Sequence, residues 1–161
     1  MTTATTTATT RAVRRVALVT GSSRGLGSEI ARRLARDGFA VAVNGRHSDA
    51  LAAVSQAIRG EGGVSGAFAA DVTDEEQVND LVAAVSENLG PIGVLVLNAT
   101  GAQPEAPLSQ VSWQAHLAQL DFFVRSPVLL GCAVLPGMRP LILGRSPIRG
   151  SSVLGWGPVG W

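Results

Sequence analysis

The stretch that most constrains this fold is Thr20-Gly21-Ser22-Ser23-Arg24-Gly25-Leu26-Gly27, which joins a short apolar run, Val16 to Val19, to an amphipathic pattern. A strand, a glycine turn and a helix start follow one another there. Peptide N–H groups of a turn feeding a helix N-terminus have no intrahelical partner. With the helix dipole they form a site for a phosphate or pyrophosphate. In such a site Gly21 makes the tight turn, Gly25 permits close approach of a ligand, and Gly27 lets the helix pack on the strand.

The pattern repeats as strand followed by helix. From Leu26 the apolar positions Leu26, Ile30, Leu34 and Ala35 recur at helical spacing, with Arg32, Arg33 and Arg36 on the other face and Gly38 as a C-terminal cap. Phe39 to Val43 predicts a second strand. Ser48 is a plausible N-cap for a helix carrying Leu51, Val54 and Ile58 and ending in the cluster Gly60 to Gly63. Val64 to Ala70 predicts the third strand. Thr73 and Glu76 have capping-box spacing ahead of a helix with Val78, Leu81, Val82, Val85 and Leu89 on one face, stopped by Gly90-Pro91. Ile92 to Leu97 is the clearest strand. Near-continuous apolar strands alternating with amphipathic helices predict a parallel sheet covered on both faces, hence a doubly wound α/β fold. A helical pattern resumes over 112–138, where Pro127 and Gly131 are expected to bend or divide it. Leu141 to Leu143 could begin a fifth strand. The expected division is a disordered Thr/Ala/Arg leader over 1–14, a Rossmann-type dinucleotide domain over 15–139, and an irregular Gly/Pro/Trp-rich tail over 140–161 that leaves the sheet incomplete on its C-terminal side.

Composition adds exclusions. A net charge of +1 over 161 residues gives no ground for a nucleic-acid partner. Cys132 is the only cysteine, which points to a reducing, cytoplasmic setting and reads as a small core residue. His47 and His116 stand alone, without the clustered ligands of a metal site. The longest apolar stretch, Val124 to Met138, is interrupted by Ser126, Pro127, Gly131 and Pro136 and is too short to span a bilayer, so no membrane association is expected. The acid-free, Thr- and Arg-rich leader also suits an organelle transit peptide.

With Thr20, the spacing G-x-x-x-G-x-G resembles the N-terminal motif of the short-chain dehydrogenase/reductase family, and the resemblance runs from about Arg15 to about Met138. It implies a Rossmann-fold oxidoreductase that moves a hydride between a nicotinamide cofactor and a small carbonyl or alcohol substrate. Cofactor-binding positions implied by the resemblance are Gly21, Ser22, Ser23, Arg24, Gly25, Leu26 and Gly27 of the loop, Arg46, Asp71 and Val72, and Asn98, Ala99 and Gly101. Arg24 and Arg46 lie where a guanidinium accepts the 2′-phosphate of NADP, and no acid stands in Asn44-Gly45-Arg46 to hold the 2′-hydroxyl of NAD. NADP is therefore expected over NAD. Asp71-Val72 resembles the pair that contacts adenine, although Asp71 also reads as a turn residue beside Thr73. Leu97-Asn98-Ala99-Thr100-Gly101 resembles an Asn-Asn-Ala-Gly loop with its first asparagine replaced.

The family's acid–base pair is a different matter. A tyrosine acts on the substrate oxygen, a lysine lowers its pKa, a serine orients the carbonyl, and an asparagine supports a relay water. A phenol of pKa about 10 works at neutral pH only beside such a cation. This sequence contains no tyrosine, and all thirteen of its basic residues are arginine. Phe123 occupies the asparagine's place. The serine is matched by Ser152 on the local pattern, or by Ser151 on counting from Pro136. The expectation is a chain cut short before its acid–base residue, or one whose tail is frame-shifted from about Pro140. Such a chain is either an inactive representative of the enzyme or a non-catalytic NADP-binding module or sensor. The helical stretch 112–138 is expected to mediate self-association.

Overall fold

The computed structural model describes residues 15–101 and 106–143. Four parallel strands form one sheet: β1 (Val16–Val19), β2 (Ala40–Gly45), β3 (Val64–Ala69) and β4 (Ile92–Val96), in the spatial order β3-β2-β1-β4. The helices α1 (Gly25–Arg36), α2 (Ser48–Gly60) and α3 (Glu75–Asn88) connect them, and α4 (Trp113–Leu120) and α5 (Ser126–Leu143) follow β4. The order reverses between β1 and β4, because the chain builds outward to β3 and then crosses back to the other side of β1. That makes the ends of β1 and β4 the switch point of a doubly wound sheet, as the sequence pattern predicts.

Alternation along the strands assigns the two faces. Val16, Leu18, Ala40 and Ala42 point toward α3 and α5 and join Val78, Leu81, Val85, Leu130 and Val134 in one buried cluster. Val19, Val41 and Val43 point the other way and meet Ala31, Leu51, Val54 and Ile58 from α1 and α2. Both faces are thus covered, which is why β1 and β2 read as unbroken apolar runs rather than alternating ones.

Several local expectations change. Leu26 is 71% exposed, whereas Ile30, Leu34 and Ala35 pack against the core as expected, beside the buried Gly27, Ser28 and Ala31. Gly38 does close α1: at φ +89° it gives its N–H to Ala35 O, while Phe39 N reaches Leu34 O, the paired bonds of a Schellman ending. Ser48 is the first residue of α2 rather than its cap, a position taken by His47 without a side-chain bond. Asp74, not Thr73, caps α3, accepting from Gln77 N at 3.0 Å. Thr73 instead gives its N–H and hydroxyl to Asp71 Oδ1, so the sequence signal was displaced by one residue. Asn44 and Gly45 lie within β2, and Leu141–Leu143 continues α5 rather than starting a strand. Cys132 is exposed, contrary to its reading as a core residue.

The long C-terminal helical stretch is not divided at Gly131, since α5 runs unbroken through it. A π-helical turn, Asp121–Arg125, separates α4 from α5, and Ser126 N closes it onto Asp121 O five residues back. Pro127 has no N–H to give and its ring crowds the carbonyl four residues earlier, so a widened turn just before it relieves both problems. Joined through this turn, Trp113–Met138 is long and apolar enough to cross a membrane by length and composition, with a mean hydropathy of 1.4. Length therefore does not exclude a span as the shorter apolar stretch did. In the folded chain the inner side of α5 packs on the sheet through Ser126, Leu130 and Val134, all nearly inaccessible. Along α4, the π-turn and α5, Trp113, Leu117, Leu120, Phe123, Val124, Val128 and Leu135 are exposed.

The Asp74 carboxyl is held below its ordinary value of 3.8, chiefly by the backbone N–H of Gln77. A carboxylate favoured in the folded state contributes stability that is present above its unfolded pKa and lost as pH falls through the lowered folded value. Asp74→Asn keeps a cap acceptor but cannot titrate. It is therefore expected to lose less stability than the parent on going from about pH 6 to about pH 3, measured by denaturant melts. An identical acid loss in both chains would contradict this role for Asp74.

Candidate functional site

The ends of β1 and β4 are tied by a reciprocal clasp. Thr20, which is buried, donates its N–H to Val96 O at 3.0 Å and accepts at Oγ1 from the N–H groups of Asn98 (3.0 Å) and Ala99 (3.1 Å). Asn98 answers through its side-chain amide, donating from Nδ2 to Thr20 O (3.1 Å) and Gly21 O (3.0 Å). Asn98 is thereby a positioning residue for the glycine loop. Gly27 belongs to the same joint, since a Cβ there would run into Gly21 O and Asn98 Nδ2. Gly21 turns at φ +62° under Ala99, whose Cα would lie 2.7 Å from an added Cβ.

Ser22 anchors the loop from beneath. It is buried, its hydroxyl donates to Val19 O at 2.8 Å and accepts from Asn44 N at 2.9 Å, and it does not line the cleft. Gly101 does not line it either: an added Cβ would lie 2.6 Å from the Phe122 ring, so its smallness answers to packing. The other described positions expected at the cofactor, Gly21, Ser23, Arg24, Gly25, Leu26, Gly27, Arg46, Asp71, Val72, Asn98 and Ala99, converge on one cleft of about 650 Å3. That volume falls within the range of about 300–1,000 Å3 common for small-ligand sites. Ser151 and Ser152 lie outside the described residues.

The cleft has a charge and a polarity. Gly25 sits at φ +58° with nothing within 4 Å of an added Cβ, so the space over it is open. Arg24, the N-cap residue of α1, makes no side-chain capping bond, and the first turn of α1 carries no acid. The α1 N-terminus therefore faces the cleft with its N–H groups unclaimed by side chains, an anion site in backbone form. α2 also begins at the cleft without a side-chain cap, whereas α3 and α4 are capped by Asp74 and Ser112. Arg32, Arg33, Arg36 and Arg125 each pair with a carboxylate; Arg24 and Arg46, like Arg15 and Arg59, have no such partner among the described residues. Asp71 spends Oδ1 on Thr73, so the turn role of this side chain is realised while the residue still lines the cleft.

A family model described as short chain dehydrogenase matches residues 15–149. The chain belongs to that family. It is similar to gluconate 5-dehydrogenase of Gluconobacter oxydans, 39% identical over 124 residues, which covers 77% of this chain and 48% of the relative. A metagenomic short-chain oxidoreductase solved in complex with NADP superposes with a TM-score of 0.73 at 31% identity, covering 79% of this chain and 57% of that one. L-sorbose reductase from Gluconobacter frateurii, solved with NADPH and L-sorbose, gives 0.74 at 28% identity over 80% and 49%. The chain spans about half the length of the curated relatives it matches.

Sequence reasoning missed Asn44, Gly45, His47, Ala50, Ala70, Thr100 and Phe122, all in the cleft lining. Asn44 and Gly45 were missed because the second strand was ended at Val43, two residues short of its true end. Phe122 carried no signal, because a regular helix does not reveal which residue a π-turn rotates inward. Phe123, matched to the family's asparagine, is instead 56% exposed. Among the described residues no group of three His, Cys, Asp or Glu could hold a metal ion.

The clasp predicts a distinctive substitution pattern. Asn98→Ala leaves two carbonyls without their donor and is expected to cost about 1–3 kcal/mol in the ligand-free chain. Asn98→Asp should be at least as damaging, since a carboxylate would face those carbonyls with no proton to give. Urea melts check this, and an unchanged midpoint in both variants would assign Asn98 to ligand contact alone.

Proposed function

We propose that this chain is an NADP(H)-binding domain of short-chain dehydrogenase type. The observation that carries the proposal is the meeting of an uncapped α1 N-terminus, open over Gly25, with two guanidiniums, Arg24 and Arg46, that have no carboxylate partner among the described residues, at one cleft. The α1 N–H groups would take the pyrophosphate, and Arg46, at the end of β2, the 2′-phosphate that distinguishes NADP from NAD. Asp71 and Val72 would border the adenine. NADP complexes among the structurally similar proteins support the same choice. When bound, the cofactor supplies or accepts a hydride at its nicotinamide ring.

What the chain lacks is the group that would move the accompanying proton. No side chain in it is a tyrosine or a lysine. A positioned acid–base group contributes about 10²–10⁴-fold, so the chain as it stands would hold the cofactor without efficient turnover of a carbonyl or alcohol. Titration calorimetry is expected to give tighter binding of NADPH than of NADH, with Arg46→Ala closing most of the gap. A charge-assisted pair of this kind is worth on the order of 1.5–3 kcal/mol. Equal affinities in the parent chain would overturn the NADP assignment, and robust NADPH-linked ketone reduction by a preparation free of host reductases would overturn the non-catalytic reading.

We further propose that the exposed stripe from Trp113 to Leu135 joins two copies of the chain, since contiguous apolar patches of this kind are rarely left in water. Sedimentation equilibrium should show association that Leu117→Glu with Val128→Glu abolishes. A monomeric parent at tens of micromolar would refute it.

A further inference from the structure

The two ends of the cleft are lined differently. At the β2–β3 end Arg46, His47 and Asp71 line it together with the small apolar Ala50, Ala70 and Val72. At the β4 end the described lining is Asn98, Ala99, Thr100 and the phenyl ring of Phe122, the one phenyl among the described lining residues. That ring is not supplied by the sheet or by the crossover helices. The π-turn Asp121–Arg125 carries it in, while the adjacent Phe123 and Val124 stay outside. Its position is set from both sides. Gly101 lies against the ring edge with no room for a Cβ, and another part of the ring packs on the core cluster beneath α5.

A dinucleotide lying across a switch point has its pyrophosphate on the first helix N-terminus and its adenosine on the β2 side, which leaves the other nucleoside on the β4 side. We propose that Phe122 is a positioning residue for the nicotinamide half of the cofactor, the apolar wall against which that ring lies, with Gly101 kept small to hold the wall in place. This rests on the NADP(H) reading of the cleft. A flat aromatic ligand ring gains contact and stacking energy on a phenyl face, and a ring already fixed by packing loses little freedom when it is met. Water is displaced from the same surface, so the reducing carbon would lie in a drier environment than the phosphates do.

The test uses the full chain and two probes, NADPH and adenosine 2′,5′-bisphosphate, which carries the adenine and 2′-phosphate but no nicotinamide. Calorimetry is expected to show Phe122→Ala weakening NADPH by roughly tenfold, the size of one aromatic stacking contact, while the bisphosphate binds as before. Phe122→Trp, which restores an aromatic face, should recover most of the loss. Gly101→Ala, whose methyl displaces the ring, should resemble Phe122→Ala. The blue shift and enhancement of NADPH fluorescence on binding should shrink in parallel. Equal weakening of both probes would show a merely structural residue and overturn the proposal, as would NADPH affinity unchanged in Phe122→Ala and Gly101→Ala alike. Failure of the parent chain to bind the bisphosphate would overturn the cofactor reading itself. If Phe122→Ala does not fold by thermal melt, Phe122→Leu with Gly101→Ala carries the same comparison.

Discussion

The structure depends on the clasp between Thr20 and Asn98. These residues are far apart in sequence, yet each satisfies backbone groups of the other's segment, so the glycine loop after β1 and the loop after β4 are built as one object. Parallel neighbours that end together leave their last carbonyls and the following N–H groups without ladder partners. Here a hydroxyl and an amide take those roles at the floor of the cleft, at the place where an open sheet binds ligands. Gly21 and Gly27 are required by this joint before any ligand arrives, since each would clash with the opposing segment if it bore a side chain. Of the three loop glycines, only Gly25 faces open space.

Helix capping divides along functional lines. α3 and α4 begin away from the cleft, and Asp74 and Ser112 satisfy their first-turn N–H groups. α1 and α2 begin at the cleft and have no side-chain cap. An uncapped N-terminus forgoes roughly 1 kcal/mol of helix stabilisation. Two such ends meeting at one cavity, with Arg24 and Arg46 beside them, concentrate positive potential where an anionic ligand would restore the missing partners. The positive field is local, since the net charge of the chain is only +1.

The helical stretch after β4 has two chemically different sides. Ser126, Leu130 and Val134 pack on β4 and α3 and belong to the core. The opposite side is apolar and exposed, while the π-turn between α4 and α5 directs Phe122 into the cleft. One element thereby completes the sheet's cover, forms one end of the cleft and leaves an apolar side exposed.

How much of this was legible depends on range. Strand and helix order, the doubly wound arrangement and the phosphate-binding loop are local patterns: apolar runs of strand length, helical spacing, and glycines at a strand–helix junction. They are visible in one dimension because each is decided by neighbours a few residues away, and family membership followed from the same motifs. Caps were displaced by one residue because Thr73 and Asp74 both offer an acceptor, and only the geometry of Asp71 settles which one faces the helix. Ser22 and Gly101 looked like ligand contacts and are structural, since their partners, Asn44 and Phe122, lie 21–22 residues away in the chain. The polarity of the cleft, the idle arginines and the inward turn of Phe122 arise only when β2, β4 and the π-turn are brought together. The sequence alone determined which elements form and in what order they wind. Tertiary structure decided which side of each element is spent on the fold and which is left for a ligand, because that choice depends on contacts between segments that no local pattern encodes.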